Sequence, residues 1–206
     1  MKSVFLSMPF LLIGLATQAQ PALFPEVFTV TGVASDDTLN IRNKPSERSA
    51  DTGDLYPHDQ IEVIALSEDR NWGKIIWQEG NGWVSMRYLR PSPLPHMPDS
   101  EMPLQLACSG TEPFWSATLW PNRNLEFKDY ATDAPASFQR IGQSSTAQGF
   151  APVSFAFTAG KFTGLLERSP CSDGMSERDY GWQLRLLDQA SGRLQLRSGC
   201  CQAALN

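Results

Sequence analysis

The chain has 206 residues, with 17 lysines and arginines against 22 aspartates and glutamates, and four cysteines. A net charge of −5 excludes a general nucleic-acid binder, which needs a basic face to neutralise phosphates. It leaves room for polar, zwitterionic or anionic ligands.

The chain opens with the three parts of a secretory signal: Lys2, an apolar run over residues 4–15, and the small-residue site Thr17-Gln18-Ala19. The apolar run is shorter than the ~20 residues a membrane span requires, and Pro9 interrupts it. Residues 1–19 are therefore expected to be a cleavable signal, with the mature chain starting at Gln20 and holding no transmembrane segment. No cysteine follows the cleavage site, so a lipid anchor is not indicated. Without Lys2 the formal charge is −6. Export implies an oxidising compartment, a periplasmic or secreted location, and two disulfides from the four cysteines. The roughly 187 remaining residues suit two small domains better than one.

Residues 20–30 are punctuated by proline and lead into short strands expected at residues 31–35 and 39–42, separated by the turn-forming Ser35-Asp36-Asp37. Residues 43–54 read as a polar loop and residues 61–66 as a strand. Residues 71–89 read as a hairpin, two short strands joined by Gly80-Asn81-Gly82 with Trp72, Trp77 and Trp83 as large side chains. Trp83 is expected in the core. Short strands at this spacing predict a small, strongly bent barrel.

Several landmarks in this stretch occur in order: Leu39-Asn40-Ile41-Arg42, Pro45-Ser46, Gly53, Leu55, Ile61-Glu62-Val63, Trp72-Gly73-Lys74-Ile75, Gly82-Trp83-Val84 and Tyr88-Leu89. Over about residues 28–90 the chain resembles a bacterial SH3-like domain. That resemblance implies a module that binds peptidoglycan or holds a partner domain, with its groove near the loop of residues 43–54 and the turn of residues 69–72. Asn40, Arg42, Trp72, Trp77 and Tyr88 are the candidate ligand-binding residues. Stacking and one or two charge-assisted contacts suit a polar wall fragment.

Residues 91–103 hold Pro91, Pro93, Pro95, Pro98 and Pro103, and read as a semi-rigid spacer that exposes His96. From Leu104 the two-residue period returns. Leu104, Leu106 and Cys108 are expected to face inward, as are Leu125 and Phe127, Val153, Phe155 and Phe157, Trp182, Leu184 and Leu186, and Leu194 and Leu196. No long helical period appears. The fold class expected is all-β: an SH3-like barrel over residues 20–90, a Pro-rich linker, and a disulfide-bonded antiparallel barrel, open or closed, over residues 104–206.

Two patches mark this second domain: Gly110-Thr111-Glu112-Pro113-Phe114-Trp115, and Cys171-Ser172-Asp173-Gly174-Met175-Ser176 with Tyr180 and the closing Gly199-Cys200-Cys201. Together they are similar to a family of bacterial envelope proteins related to META-type and lysozyme-inhibitor-like small β-barrels. The resemblance implies no particular chemistry. It implies a Cys171–Cys200 bond, leaving Cys108 with Cys201. Strand parity argues the other way, because the run Leu194, Leu196, Ser198, Cys200 puts Cys200 inward beside Cys108 unless Gly199 opens a bulge. A bond between the adjacent Cys200 and Cys201 would close a strained ring.

Catalytic and metal readings are weak. The cysteines lack Cys-x-x-Cys spacing and a neighbouring histidine, so no metal and no cofactor is expected. His58 and His96, the only histidines, sit where neither is positioned as the base of a cysteine nucleophile. Glu112 and Asp173 are the best carboxylate pair for a wall hydrolase, yet both fit turns: Asp173-Gly174 is turn-forming, and Ser176 to Asp179 has capping-box spacing. The expected function is a non-enzymatic binding or scaffold protein of the cell envelope, with peptidoglycan or an envelope protein as partner and no nucleic acid. The alternative is an inhibitor- or chaperone-like protein whose second domain binds another protein.

Overall fold

The computed structural model describes residues 24–147, 153–189 and 194–205. The expected signal lies outside them. Among the described residues no helix is long and apolar enough to cross a membrane.

The chain is all-β. Its first sheet comprises β1 (Glu26–Val30), β2 (Leu39–Arg42), β3 (Asp51–Leu55), β4 (Gln60–Leu66), β5 (Trp72–Trp77), β6 (Gly80–Ser85) and β7 (Leu89–Pro91), with a 3-10 turn over Met86–Tyr88 before β7. The strand order is β3-β2-β6-β5-β4-β1-β7. Two expectations shift here. Residues 31–35 form no strand, the first strand being Glu26–Val30 instead; and the polar stretch of residues 43–54 ends in β3, which pairs with β2. The mostly exposed, polar β3 carries no apolar alternation, so its strand character comes from backbone pairing along an edge.

Val30, Ile41, Val63, Ile75 and Val84 form the fully buried centre of this sheet. Alternation in β6 turns Gly82 and Val84 inward, so Trp83 is half-buried on the other face rather than in the core. The interior is too narrow for more. A methyl group on Gly82 would lie 2.4 Å from Ile41 Cγ2, and one on Gly73 within 3 Å of Val63 and Met86. Of the hairpin's tryptophans, Trp77 packs against this small core, and Trp72 and Trp83 are half-buried on the other face.

The second unit is a closed eight-stranded antiparallel barrel, ordered β10-β11-β12-β13-β14-β15-β8-β9. Its strands are β8 (Leu106–Thr111), β9 (Phe114–Leu119), β10 (Asn124–Asp129), β11 (Ser137–Thr146), β12 (Ser154–Ala159), β13 (Phe162–Ser172), β14 (Asp179–Asp188) and β15 (Gln195–Ala203). The interior is filled by Leu106, Cys108, Trp115, Leu119, Leu125, Phe155, Phe157, Phe162, Trp182, Leu184 and Leu186 with their neighbours. It is a packed core.

β15 overturns the expected parity. Leu194 and Leu196 are 72% and 67% exposed, whereas Arg197 is 7% exposed and Cys201 fully buried. Arg197 faces inward because its charge is matched there. Its Nη2 donates to Asp129 Oδ2 at 2.7 Å, Nη1 lies 3.7 Å from Asp188, and the guanidinium sits 5.1 Å over the Phe127 ring. The register between β14, β15 and β8 runs unbroken with Cys201 opposite Cys108, and no bulge is needed at Gly199. Cys108 bonds Cys201 inside the barrel, and Cys171 bonds Cys200 on its outer side.

The Pro-rich segment does more than space the domains. Met97, Met102 and Leu104 are buried in the barrel's core cluster, and Met97 N–H donates to Met102 O at 2.9 Å, closing a short loop. Asp99 and Ser100 bind Ser144 of β11. The expected spacer is thus packed against the barrel, although His96 is exposed. Proline-fixed dihedrals let the segment present two methionines to the core at low entropic cost.

Candidate functional site

Asn40 and Arg42 alternate along β2 to the same face. Trp72 begins β5 opposite Ser85 at the end of β6, and the 3-10 turn presents Arg87 and Tyr88 beside them. These residues, with Leu39 and Glu47, line a surface cavity of about 280 Å³. Four of the five residues singled out from the sequence, Asn40, Arg42, Trp72 and Tyr88, therefore share one groove. Trp77 does not. It sits at the far end of β5, donates its indole N–H to Thr52 O at 3.1 Å, and packs over Gly53.

Local bonds hold the groove's polar residues in place. Arg42 Nη1 donates to Ser49 O at 3.0 Å, tying β2 to the loop before β3. The Asn40 amide donates to Asp51, which holds that carboxyl below its ordinary range with help from the Gly53 N–H. The Arg87 guanidinium lies 5.6 Å over the Tyr88 ring. Arg42 and Arg87 against Glu47 leave the groove with one excess positive charge in a chain that is acidic overall. The arrangement offers two aromatic faces and guanidinium donors to a polar ligand bearing a carboxylate.

Sequence reasoning missed Arg87 and Glu47. Arg87 adjoins Tyr88 but reads as a solvated charge, because its approach to the groove depends on the turn of Met86–Tyr88. Glu47 lies in the loop that the resemblance placed near the groove, and only the closing of β3 on β2 brings it to the rim.

The other candidate residues fall into structural roles. Asp173 accepts N–H bonds from Met175 and Ser176 and hydroxyl bonds from Ser176 and Tyr180. These donors, Ser176 N–H foremost, hold its carboxyl down at about 2, too low for a general acid near neutrality. Glu112 lies exposed in the β8–β9 turn. His58 is exposed at φ +74° in the turn between β3 and β4. Among the described residues no group of three or more His, Cys, Asp or Glu side chains is placed to hold a metal ion.

A second cavity, of about 260 Å³, lies between the sheet and the barrel, lined in part by Glu62, Arg168, Trp182, Glu26 and Glu101. Glu62, only 6% exposed, reaches from β4 into the barrel's outer layer. Trp182 Nε1 donates to its Oε1 at 2.9 Å, and Ala203 N–H to its Oε2 at 3.0 Å. Burial pushes this carboxyl up to about 7, against the pull of those two donors and of Arg168. Beside it, the β13–β14 arm grips the β5–β6 hairpin. Arg178 Nε donates to Gln78 O at 2.7 Å, Asp179 N–H to Asn81 Oδ1 at 2.9 Å, and Lys74 pairs with Asp179.

Comparison with protein families identifies residues 37–90 as matching the bacterial SH3 domain. The match covers β2 to the end of the 3-10 turn and the start of β7, and so includes every residue of the groove. Neither the curated proteins nor the solved structures gave a match.

Proposed function

We propose that this is a non-catalytic binding protein of the bacterial cell envelope, docking to peptidoglycan through the groove of its SH3 domain. One observation carries the reading: Asn40, Arg42, Trp72, Tyr88 and Arg87 converge on a single cavity inside the matched domain. Peptidoglycan stem peptides carry free carboxylates that the two guanidiniums suit, and aliphatic side chains that pack on indole and phenol rings. The two disulfides fit an oxidising location outside the cytoplasm.

The test is a pull-down of the purified protein with isolated sacculi. Wild type is expected to be retained, and Trp72→Ala or Arg42→Ala to reduce retention about ten-fold, equivalent to ~1.4 kcal/mol. Equal retention of wild type and both variants would sink the proposal.

A second reading is favoured by the outer wall of the barrel, where Phe114, Tyr130 and Phe138 are each more than half exposed. Such rings on a stable barrel fit an inhibitor of an envelope enzyme. Inhibition of lysozyme by the whole protein, abolished by Phe114→Ser, would favour it over wall binding.

A further inference from the structure

The two disulfides are adjacent at one end, through Cys200 and Cys201, yet occupy different environments. Cys108 and Cys201 are 3% and 0% exposed and face the core beside Trp115 and Trp182. On the other side of the same strand, Cys200 is 3% exposed but its partner Cys171 is half-buried. A surface cavity of about 110 Å³ is lined by both Cys171 and Cys200, together with Ser109, Ser198 and Asp173. Glycines at 110 and 199 also line it, and the space their side chains would need is taken by Trp115 and by the backbone of Ser109 and Ser198.

The outer bond also has a distinct mechanical position. Cys171 lies at the end of β13, where the register with β14 shifts between Arg168 and Cys171 and the hairpin continues as an arm. That arm ends in Arg178 and Asp179, which hold Gln78, Glu79, Asn81 and Lys74 of the SH3 domain. The Thr111 hydroxyl donates to Asp173 O at 3.2 Å, and the disulfide ties the arm's base to β15 of the barrel wall.

We propose that the Cys171–Cys200 bond is a thiol-exchange site for a dithiol reductant, and that its cleavage releases the arm from the SH3 domain while Cys108–Cys201 keeps the barrel closed. A reductant thiolate attacks Cys171 Sγ, the more accessible sulfur. The Sγ–Sγ bond breaks, its electron pair leaves on Cys200 Sγ, and that thiolate takes up a proton. The reductant's second thiolate then attacks its own sulfur in the mixed disulfide and expels Cys171, which is protonated in turn. Two electrons and two protons reach the protein, and the dithiol becomes a disulfide. A dithiol is the better partner because its second thiolate resolves the mixed disulfide within one molecule, whereas a monothiol needs a second encounter.

The folded full chain is treated with dithiothreitol, quenched with iodoacetamide at intervals, and mapped by mass spectrometry. Cys171 and Cys200 are expected to be alkylated at least ten-fold faster than Cys108 and Cys201, and glutathione at equal thiol concentration to react more slowly. In the singly reduced species, amide exchange over residues 78–81 and 173–179 should rise while β10 to β12 stay protected. Labelling of all four cysteines together, earlier labelling of Cys108 or Cys201, or unchanged exchange at residues 78–81 would overturn the proposal. The Cys171→Ser/Cys200→Ser double variant is expected to fold and to show the same exchange without reductant. Its failure to fold would also overturn the proposal, by making the outer bond indispensable to the barrel.

Discussion

Arg197 and Glu62 are charged side chains buried at the ends of apolar strands, and each is held by named partners. Arg197 occupies an inward position of β15, where it pairs with Asp129 at 2.7 Å and lies 3.7 Å from Asp188, itself paired with Lys161. Arg197→Leu is therefore expected to destabilise the barrel by about 3–5 kcal/mol, measured by urea denaturation, despite the gain in apolar character. Glu62 sets a pH dependence. Its folded-state value, about 7, lies above the ordinary 4.5, so the folded protein binds this proton more tightly than the unfolded chain. The resulting contribution is fully present below pH 4.5 and lost as pH rises through 7, about 3 kcal/mol at most. Denaturation at pH 5 and pH 8 should show this fall in wild type, and Glu62→Gln should remove it. Asp173 acts in the opposite sense: held near 2, it contributes above its ordinary 3.8 and is lost as pH falls toward 2.

Element packing is limited by backbone approach at glycines. In β15, a Cβ on Gly199 would lie 2.1 Å from Ser109 O, a backbone atom of the strand that closes the barrel. Gly199→Ala must push β15 and β8 apart or rotate the strand, with an expected cost of about 2–3 kcal/mol. A lowered thermal midpoint with the Cys108–Cys201 bond still formed would show this, and an unchanged midpoint would contradict it. The hairpin of residues 71–89 has the same restriction on a smaller scale, since Gly73 and Gly82 leave its interior to Ile75 and Val84. Trp72 and Trp83 therefore lie on the outer face, where Trp72 is available to the groove, while Trp77 packs against the edge of the core.

At the scale of the whole molecule, the barrel and the SH3 domain share a buried joint. Trp182 belongs to the barrel's core and also supplies an N–H to Glu62 of the other domain. Trp182→Phe leaves one carboxylate oxygen of Glu62 without that donor, for a loss of about 1–3 kcal/mol. Wild type is expected to unfold in a single calorimetric transition and this variant in two. A single transition in both proteins would show that the joint does not couple the domains.

Much of this organisation is legible from residue pattern alone. The all-β class, the inward faces of β8, β10, β12 and β14, and the landmarks of the SH3 domain follow from two-residue alternation and from turn residues whose preferences are local. Four groove residues were also recoverable, because Asn40 and Arg42 share a strand face and Trp72 and Tyr88 flank a hairpin. Tertiary structure decided the rest. The side of β15 that faces inward depends on Asp129 and Asp188, which lie 68 and 9 positions away from Arg197, so local hydrophobicity misleads there. Trp77 parts from Trp72 through their odd spacing along β5, and the fold then seats it over Gly53 of β3. The proline-rich segment joins the barrel's core because the fold buries Met97, Met102 and Leu104 among the inward side chains of the strands. Alternation is a property of one strand, whereas the burial of a charge or the closing of a barrel depends on partners that only the folded chain brings together.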